Sequence, residues 1–184
     1  ATAQRVRVFG SSTEVTAAVK AQGRYRVPGI SSAYADAQRQ IGWIRLNQTK
    51  AKAVADTKAM LERDVATGFH PPGTDSIESV IRHEFGHHLK WAAEERAGAL
   101  EVQKVIRQAV ADEADRAGLL ADPTTASISR ARYQVMRDLS RYAAKNDDEF
   151  VAEAFSEVTS NANPRPLAKA LVDALVALAE GPAQ

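Results

Sequence analysis

The residues His83-Glu84-Phe85-Gly86-His87 form an HExxH motif inside Ser76–Trp91, a segment whose pattern predicts a helix. Four helical residues turn the chain by about 400°, so His83 and His87 project from one face and can bind the same metal ion. Glu84 lies about 100° round the helix, close enough to act on a water molecule without binding the metal. Because HExxH also occurs in helices that bind nothing, the motif predicts a zinc site only if further ligands are found.

A second group of polar residues follows, with Tyr142, Glu149 and Glu153 at intervals of seven and four residues. Asn146 and Glu149 have the spacing of a capping box, which predicts a helix with Glu149 in its first turn and Glu153 one turn later on the same face. Catalytic zinc usually takes three protein ligands and one water, so Glu149 would complete a His₂Glu site. Glu153 would accept a hydrogen bond from the outer ring nitrogen of a ligand histidine.

A simpler interpretation of these carboxylates remains open. From Asp147 to Glu157 the chain is rich in acidic residues. Negative side chains are favoured near a helix N-terminus by the helix dipole, whether or not a metal is present. On that interpretation the acidic residues are surface decoration of one helix.

Taken together, the two motifs resemble the catalytic domain of the anthrax lethal factor family of zinc metallopeptidases, to which the Pro-Pro endopeptidases are similar. The resemblance covers roughly residues 40 to 160, and its specificity lies in His83–His87 and Tyr142–Phe155. It implies zinc as the cofactor and a peptide or protein as the substrate. The linker between the motifs is longer than the family leads us to expect. Similar domains are attached to phage virion proteins and to polymorphic toxins, so the resemblance leaves localisation unknown and open to a secreted or virion-associated protein, which would work within a larger assembly if it is a virion or toxin domain.

The resemblance also implies a role for each site residue. The two histidines and the later glutamate bind zinc in that family, which places the metal on His83, His87 and Glu149. Glu149, not Glu153, is then the third ligand. Glu84 is implied as the general base that takes the proton of the attacking water and passes it to the leaving amine. Tyr142 has the offset of the tyrosine that stabilises the oxyanion.

The same residues leave alternatives open for function. A metzincin would continue HExxHxxGxxH, but Lys90 and Ala93 stand at the glycine and third-histidine positions, which excludes that class. The sequence therefore predicts a zinc-dependent metalloendopeptidase. The runner-up is a virion- or toxin-associated structural or binding module that keeps a zincin fold with little or no catalysis.

Four residues near the motifs have packing or surface positions as their simpler interpretation. Tyr142 would be a core aromatic on one helical stripe with Ile128, Val135 and Leu139. His88 points about 100° away from the ligand direction and is expected to be packed or to support a ligand. Gly86 either lets another element approach the helix or merely lowers helix propensity. His70, in a Pro-Pro-Gly loop, is expected at the surface or at the rim of a cleft.

Composition narrows the classes of partner. A chain of 184 residues can bury the core of one domain, here taken as 1–184, either a mature form or a domain excised from a longer protein. The net charge of +1 predicts no binding to nucleic acid or to anionic membranes. No apolar run approaches the roughly 20 residues that span a bilayer. Since cysteine is absent, disulfides and thiolate zinc ligands are excluded.

Local patterns predict an α+β, zincin-like fold with a small N-terminal sheet on a mainly helical body. Arg5–Phe9 alternates like a strand, Ser11 to about Gln22 reads as a helix, and Gly42–Asn47 reads as a second strand. In zincins the strand before the active-site helix is commonly the sheet edge to which a peptide adds, so Gly42–Asn47 is either that edge or an ordinary strand. After Gly98 the chain reads as almost wholly helical, which would place zinc between the HExxH helix and the Glu149 helix.

Overall fold

The computed structural model of the protein describes residues 5–9, 35–38, 43–47, 53–120 and 124–181. The helix predicted over 11–22 lies outside the described residues. Between 53 and 181 the regular elements are helical. They are α1 (Val54–Ala66), α2 (Ile77–Ala97), α3 (Ala99–Arg116), α4 (Thr125–Leu139), a 3₁₀ turn (Ala143–Lys145), α5 (Asp147–Ser160) and α6 (Pro166–Glu180).

Three short strands precede the helices: β1 (Arg5–Phe9), β2 (Ala35–Gln38) and β3 (Trp43–Asn47). They pair in the order β1-β3-β2, with β1 parallel and β2 antiparallel to β3. The strand segments predicted from alternation are therefore present. Of the two alternatives left open for the strand before the HExxH helix, the ordinary sheet strand is the one present, because β3 is hydrogen-bonded to β1 on one side and to β2 on the other.

The predicted α+β class is wrong, because the body of the protein is all-helical. Within 53–120 and 124–181 the described chain forms helices and no strand. The buried core lies between helices and includes Val102 and Ile106 of α3, Phe150 of α5 and Leu171 of α6. From the sheet, Ile44 packs against α2 at its N-terminal half, beside rather than within this core. The helical stripes bury one another, so the core does not depend on a sheet.

Helix α2 is the element around which the others are arranged. It packs against α3, α5 and α6, and the strands β2 and β3 lie against it as well. It extends further than the sequence predicted, to Ala97, and ends at Gly98, whose φ of 92° suits glycine. None of the helices in the described ranges combines the length and apolarity needed to cross a membrane.

Candidate metal centre

The HExxH residues are held by a helix whose start is set by a reciprocal cap. Ser76 Oγ accepts a hydrogen bond from Ser79 N at 3.0 Å, and Ser79 Oγ accepts one from Ser76 N at 3.3 Å. About two and three turns after Ser76, the rings of His83 and His87 lie side by side with centroids 5.0 Å apart. The prediction that both histidines share one face of a helix is confirmed.

The second motif lies at the start of α5. Asn146 Oδ1 accepts a hydrogen bond from Glu149 N at 2.9 Å, which caps the helix. Glu149 is therefore in the first turn and Glu153 is one turn later, as the capping pattern predicted. The helix start aims both carboxylates towards α2.

Gly86 brings the two motifs together. A Cβ at this position would lie 2.6 Å from Ala152 Cα and 3.0 Å from Phe155 Cβ, so only glycine allows α5 to approach α2 this closely. Of the two alternatives for Gly86, the structure therefore shows the close approach of another helix. Since Glu149 lies three residues before Ala152, the same crossing sets Glu149 opposite the two histidines.

The three expected ligand residues converge. Glu149 Oε2 lies 3.2 Å from His83 Nε2 and 3.6 Å from His87 Nε2. One donor atom from each residue can be chosen so that all three lie within 4.8 Å of one another. A tetrahedral zinc ion with bonds of about 2.0–2.1 Å separates its ligand atoms by about 3.3 Å. The geometry therefore permits one zinc ion bound by two imidazoles and one carboxylate.

Glu153 lies behind His83, on the side away from Glu149. Its side chain is buried, and its Oε1 lies 2.7 Å from His83 Nδ1. The ring of His83 thus has one nitrogen directed to each carboxylate, Nε2 to Glu149 and Nδ1 to Glu153. This is the position expected of a residue that orients a ligand histidine without binding the metal.

Burial and neighbouring charges shift the pKa values of the two histidines and of Glu149. Burial has the largest single effect on His83 and lowers its pKa, but the hydrogen bonds with Glu149 and Glu153 together outweigh it and raise the pKa to about 10. Burial, followed by the charge of His83, lowers the pKa of His87 to about 4. Burial raises the pKa of Glu149, yet the hydrogen bond and charge of His83 outweigh burial and lower it to about 2. In the metal-free protein, the protonated His83 therefore lies between two carboxylates, where a metal cation would replace its proton.

Tyr142 is not on a helical stripe. Helix α4 ends at Leu139, and Ile128, expected on the same buried stripe, is 50% exposed. Tyr142 N instead donates to Phe69 O at 3.1 Å, and the Tyr142 hydroxyl donates to Glu149 Oε1 at 3.2 Å. The helical stripe on which the packing interpretation depended is therefore not formed, and the phenol faces the carboxylate of Glu149.

Two charged groups surround this tyrosine. Lys145 Nζ lies 5.0 Å from the centroid of the Tyr142 ring and 3.4 Å from Glu149 Oε1. Burial, followed by the charge of Glu149, raises the pKa of Tyr142 above its usual value, so its hydroxyl stays a donor at neutral pH. Glu84 is buried, and its charge adds to the larger effects that raise the pKa of both His83 and Tyr142. Glu84 therefore acts electrostatically on the same site.

No sequence pattern identified His70 as part of the centre. Its side chain is 22% exposed, and its Nδ1 lies 3.1 Å from both carboxylate oxygens of Glu153. Ser140, also unmarked in the sequence, donates from Oγ to Glu153 Oε2 at 2.9 Å. A lone histidine in a loop has no periodicity to reveal it, and the one available clue is that this loop leads directly into α2.

Two other titratable residues have structural positions. His88 is buried and packs edge-on against Trp91, with centroids 5.1 Å apart, as expected of a packed residue. Glu157 is not surface decoration, because it is fully buried and Arg165 Nη2 lies 2.7 Å from its Oε2. Arg165 also donates to Leu139 O at 2.6 Å, so this pair ties the end of α4 to α5 and α6.

Comparison of the chain with protein-family models, with curated proteins and with solved structures found no match.

Proposed function

We propose that this chain is a zinc-dependent metalloendopeptidase whose metal is bound by two histidines and one glutamate. The observation that carries the proposal is the convergence of His83 Nε2, His87 Nε2 and Glu149 Oε2 at separations that suit one tetrahedral ion. An unliganded glutamate and a tyrosine hydroxyl accompany these three groups. A purely structural zinc site, with four protein ligands, would need neither.

The proposed chemistry assigns the proton transfers to Glu84. Zinc bound at the centre would polarise a peptide carbonyl and make a water molecule more acidic. Glu84 would take the proton of the attacking water on its carboxylate and deliver it to the leaving amine. Because Glu84 follows His83 directly on α2 and is buried, its position relative to the ligands is set by the helix itself.

Tyr142 would stabilise the negative charge that develops on the carbonyl oxygen. Its hydroxyl lies beside the ligand carboxylate, and its raised pKa keeps the proton available for donation. To donate to the substrate, the hydroxyl would exchange its bond to Glu149 for one to the oxyanion. Lys145, which also contacts Glu149 Oε1, would then keep that oxygen paired.

Metal content tests the ligand assignment. The wild-type chain, stripped with a chelator and dialysed against zinc, is expected to retain one zinc ion per chain by elemental analysis. Glu149→Gln should lose most of this zinc, whereas Asp148→Asn, a neighbouring acid that is 55% exposed, should retain it. Equal zinc content in the two variants would refute the assignment of Glu149.

Cleavage of an unbiased peptide library tests catalysis separately. Glu84→Gln should keep the fold and the zinc but lose nearly all cleavage, because only the proton acceptor is removed. A wild-type chain that binds zinc and cuts no peptide would instead support the non-catalytic binding module. Turnover by Glu84→Gln at the wild-type rate would remove Glu84 from the mechanism.

A further inference from the structure

Three side chains from different parts of the chain converge on the buried carboxylate of Glu153. His70 Nδ1 lies 3.1 Å from both of its oxygens, Ser140 Oγ donates to Oε2 at 2.9 Å, and His83 Nδ1 lies 2.7 Å from Oε1. An ionised carboxylate accepts hydrogen bonds and cannot donate them. His70 and Ser140 are hydrogen-bonded to Glu153, and His83 Nδ1 lies within ion-pair distance of it, so each of the three groups can present a hydrogen to the carboxylate.

The orientation of Glu153 determines which nitrogen of His83 is available to a metal. A neutral imidazole carries its hydrogen on one nitrogen and a lone pair on the other. Once a metal has replaced the second proton of His83, a hydrogen held on Nδ1 by Glu153 would leave the lone pair of Nε2 directed at the metal, on the side of Glu149 and His87. If the Glu153 carboxylate rotated away, the hydrogen of His83 would no longer be held on Nδ1.

We propose that His70 is a positioning residue of the metal centre, which fixes the Glu153 carboxylate and thereby keeps His83 Nε2 directed at the metal. The inference rests on the proposed function, since it supposes that His83 binds a metal. Glu153 and Ser140 are the intermediaries, and His70 contributes from an element outside both motifs.

The loop that carries His70 is firmly attached to its surroundings. Phe69 N donates to Asp64 O at 2.8 Å, and Phe69 O accepts from Tyr142 N at 3.1 Å. At its other end, Gly73 approaches Asn161 so closely that a Cβ on the glycine would lie 3.0 Å from the Asn161 Cβ. A residue on a loop fixed at both ends can hold another group in place.

His70 also contacts the tyrosine of the site. The rings of His70 and Tyr142 meet edge-on, with centroids 5.6 Å apart and an interplanar angle of 70°. Ser140 also connects Glu153 to this tyrosine, because its Oγ accepts a hydrogen bond at 2.8 Å from the backbone N of Ala143, the residue that follows Tyr142. Glu153, His70 and Ser140 thus link α5, the loop before α2 and the turn of Tyr142 into one network.

Direct metal binding is the competing role for His70. Its Nδ1 is occupied by Glu153, and among the described residues the cluster of donor atoms within 4.8 Å consists of His83, His87 and Glu149. The contacts therefore favour support of a ligand over ligation.

Two variants of nearly equal shape separate positioning from packing. Asparagine carries an N–H donor on Cγ, as histidine carries Nδ1, whereas leucine has the same branching and no donor. Metal-free His70→Leu and His70→Asn would be titrated with Co²⁺, followed by the absorption of the bound ion, and then with Zn²⁺ in competition with a chelating dye. Thermal unfolding in excess chelator checks that each folds, and His70→Ala replaces the leucine variant if leucine prevents folding.

We expect His70→Leu to weaken metal affinity by roughly 10- to 100-fold and to alter the Co²⁺ absorption, as loss of such supporting hydrogen bonds typically does, while His70→Asn stays near the wild type. Wild-type affinity in His70→Leu, or equal loss in both variants, would overturn the positioning role. These outcomes differ from failure of the proposed function. A wild-type chain that binds metal without cutting peptides would refute the peptidase activity and leave the positioning role of His70 unaffected. A wild-type chain that binds no metal would refute both.

Discussion

Replacing Gly86 with alanine tests whether the close crossing of α2 and α5 builds the metal centre. Alanine is the better helix former by about 0.5–1 kcal/mol, so a glycine that only lowered helix propensity would yield a more stable variant. The structure predicts instead that Gly86→Ala is less stable than the wild type. The new Cβ would lie 2.6 Å from Ala152 Cα and 3.2 Å from Ala152 O, which are backbone atoms that cannot rotate away.

The size of the effect follows from these distances. Carbon atoms pack at about 3.5–4.0 Å, so α5 would have to move away by about 1 Å. Overpacking typically costs about 1–3 kcal/mol, and a contact with backbone belongs in the upper half of that range. After subtracting the propensity gain, we expect Gly86→Ala to be destabilised by about 1–2 kcal/mol. For a chain of this size each kcal/mol lowers Tm by about 2–4 °C.

The same movement should disturb the metal site, because Glu149 is carried by α5. Metal–ligand distances tolerate deviations of only about 0.2 Å, so a shift of about 1 Å should weaken zinc binding at least about tenfold. Tm would be measured by circular dichroism in chelator, and zinc affinity by competition with a dye. Ala92→Gly, at an exposed position of the same helix, is the control and should lose about 1 kcal/mol with unchanged zinc affinity. A raised Tm together with wild-type zinc affinity in Gly86→Ala would refute the reasoning.

Three further predictions concern the site and its surroundings. Tyr142→Phe should lower kcat by about 10²–10³ with little change in KM, as measured by steady-state kinetics on a cleaved library peptide, whereas a packing role predicts near wild-type kcat and a slightly lower Tm. Glu157→Ala should cost about 1–3 kcal/mol in urea unfolding, because it removes the buried acceptor of Arg165, whose own side chain is 33% exposed, and the absence of any loss would contradict that pairing. The metal-free protein should be most stable near pH 6.5. Because the pKa of His83 is raised, the folded protein loses stability as pH rises from about 6.5 to about 10. Because the pKa of His87 is lowered, it also loses stability as pH falls from about 6.5 to about 4. Unfolding free energies in chelator across this range should fall on both sides, and a flat alkaline limb would contradict the pairing of His83 with its carboxylates.

Local geometry explains which parts of the centre were predictable from the sequence. The pairing of His83 and His87 on one face depends only on the helical repeat, and the start of α5 depends only on the Asn146 side chain reaching Glu149 N. Each of these predictions concerns residues within about one turn of each other.

The predictions that were wrong required distant elements to be placed. The α+β class was inferred from real strands, but whether a sheet or a set of helices forms the core depends on which surfaces bury one another. For β3 the sequence left an edge and an ordinary position open, and pairing with both β1 and β2 decided for the central position. Tyr142 left its predicted stripe because its backbone pairs with Phe69.

The sequence by itself determined the two helices that carry the motifs and the faces on which His83, His87 and Glu149 lie, because helix periodicity and capping act over a few residues. Only the tertiary structure decided that Gly86 lets these helices meet and that His70 bonds to Glu153, a partner 83 residues away. Such contacts depend on how whole elements pack, and the packing free energy is shared among many side chains, so no short stretch of sequence encodes it.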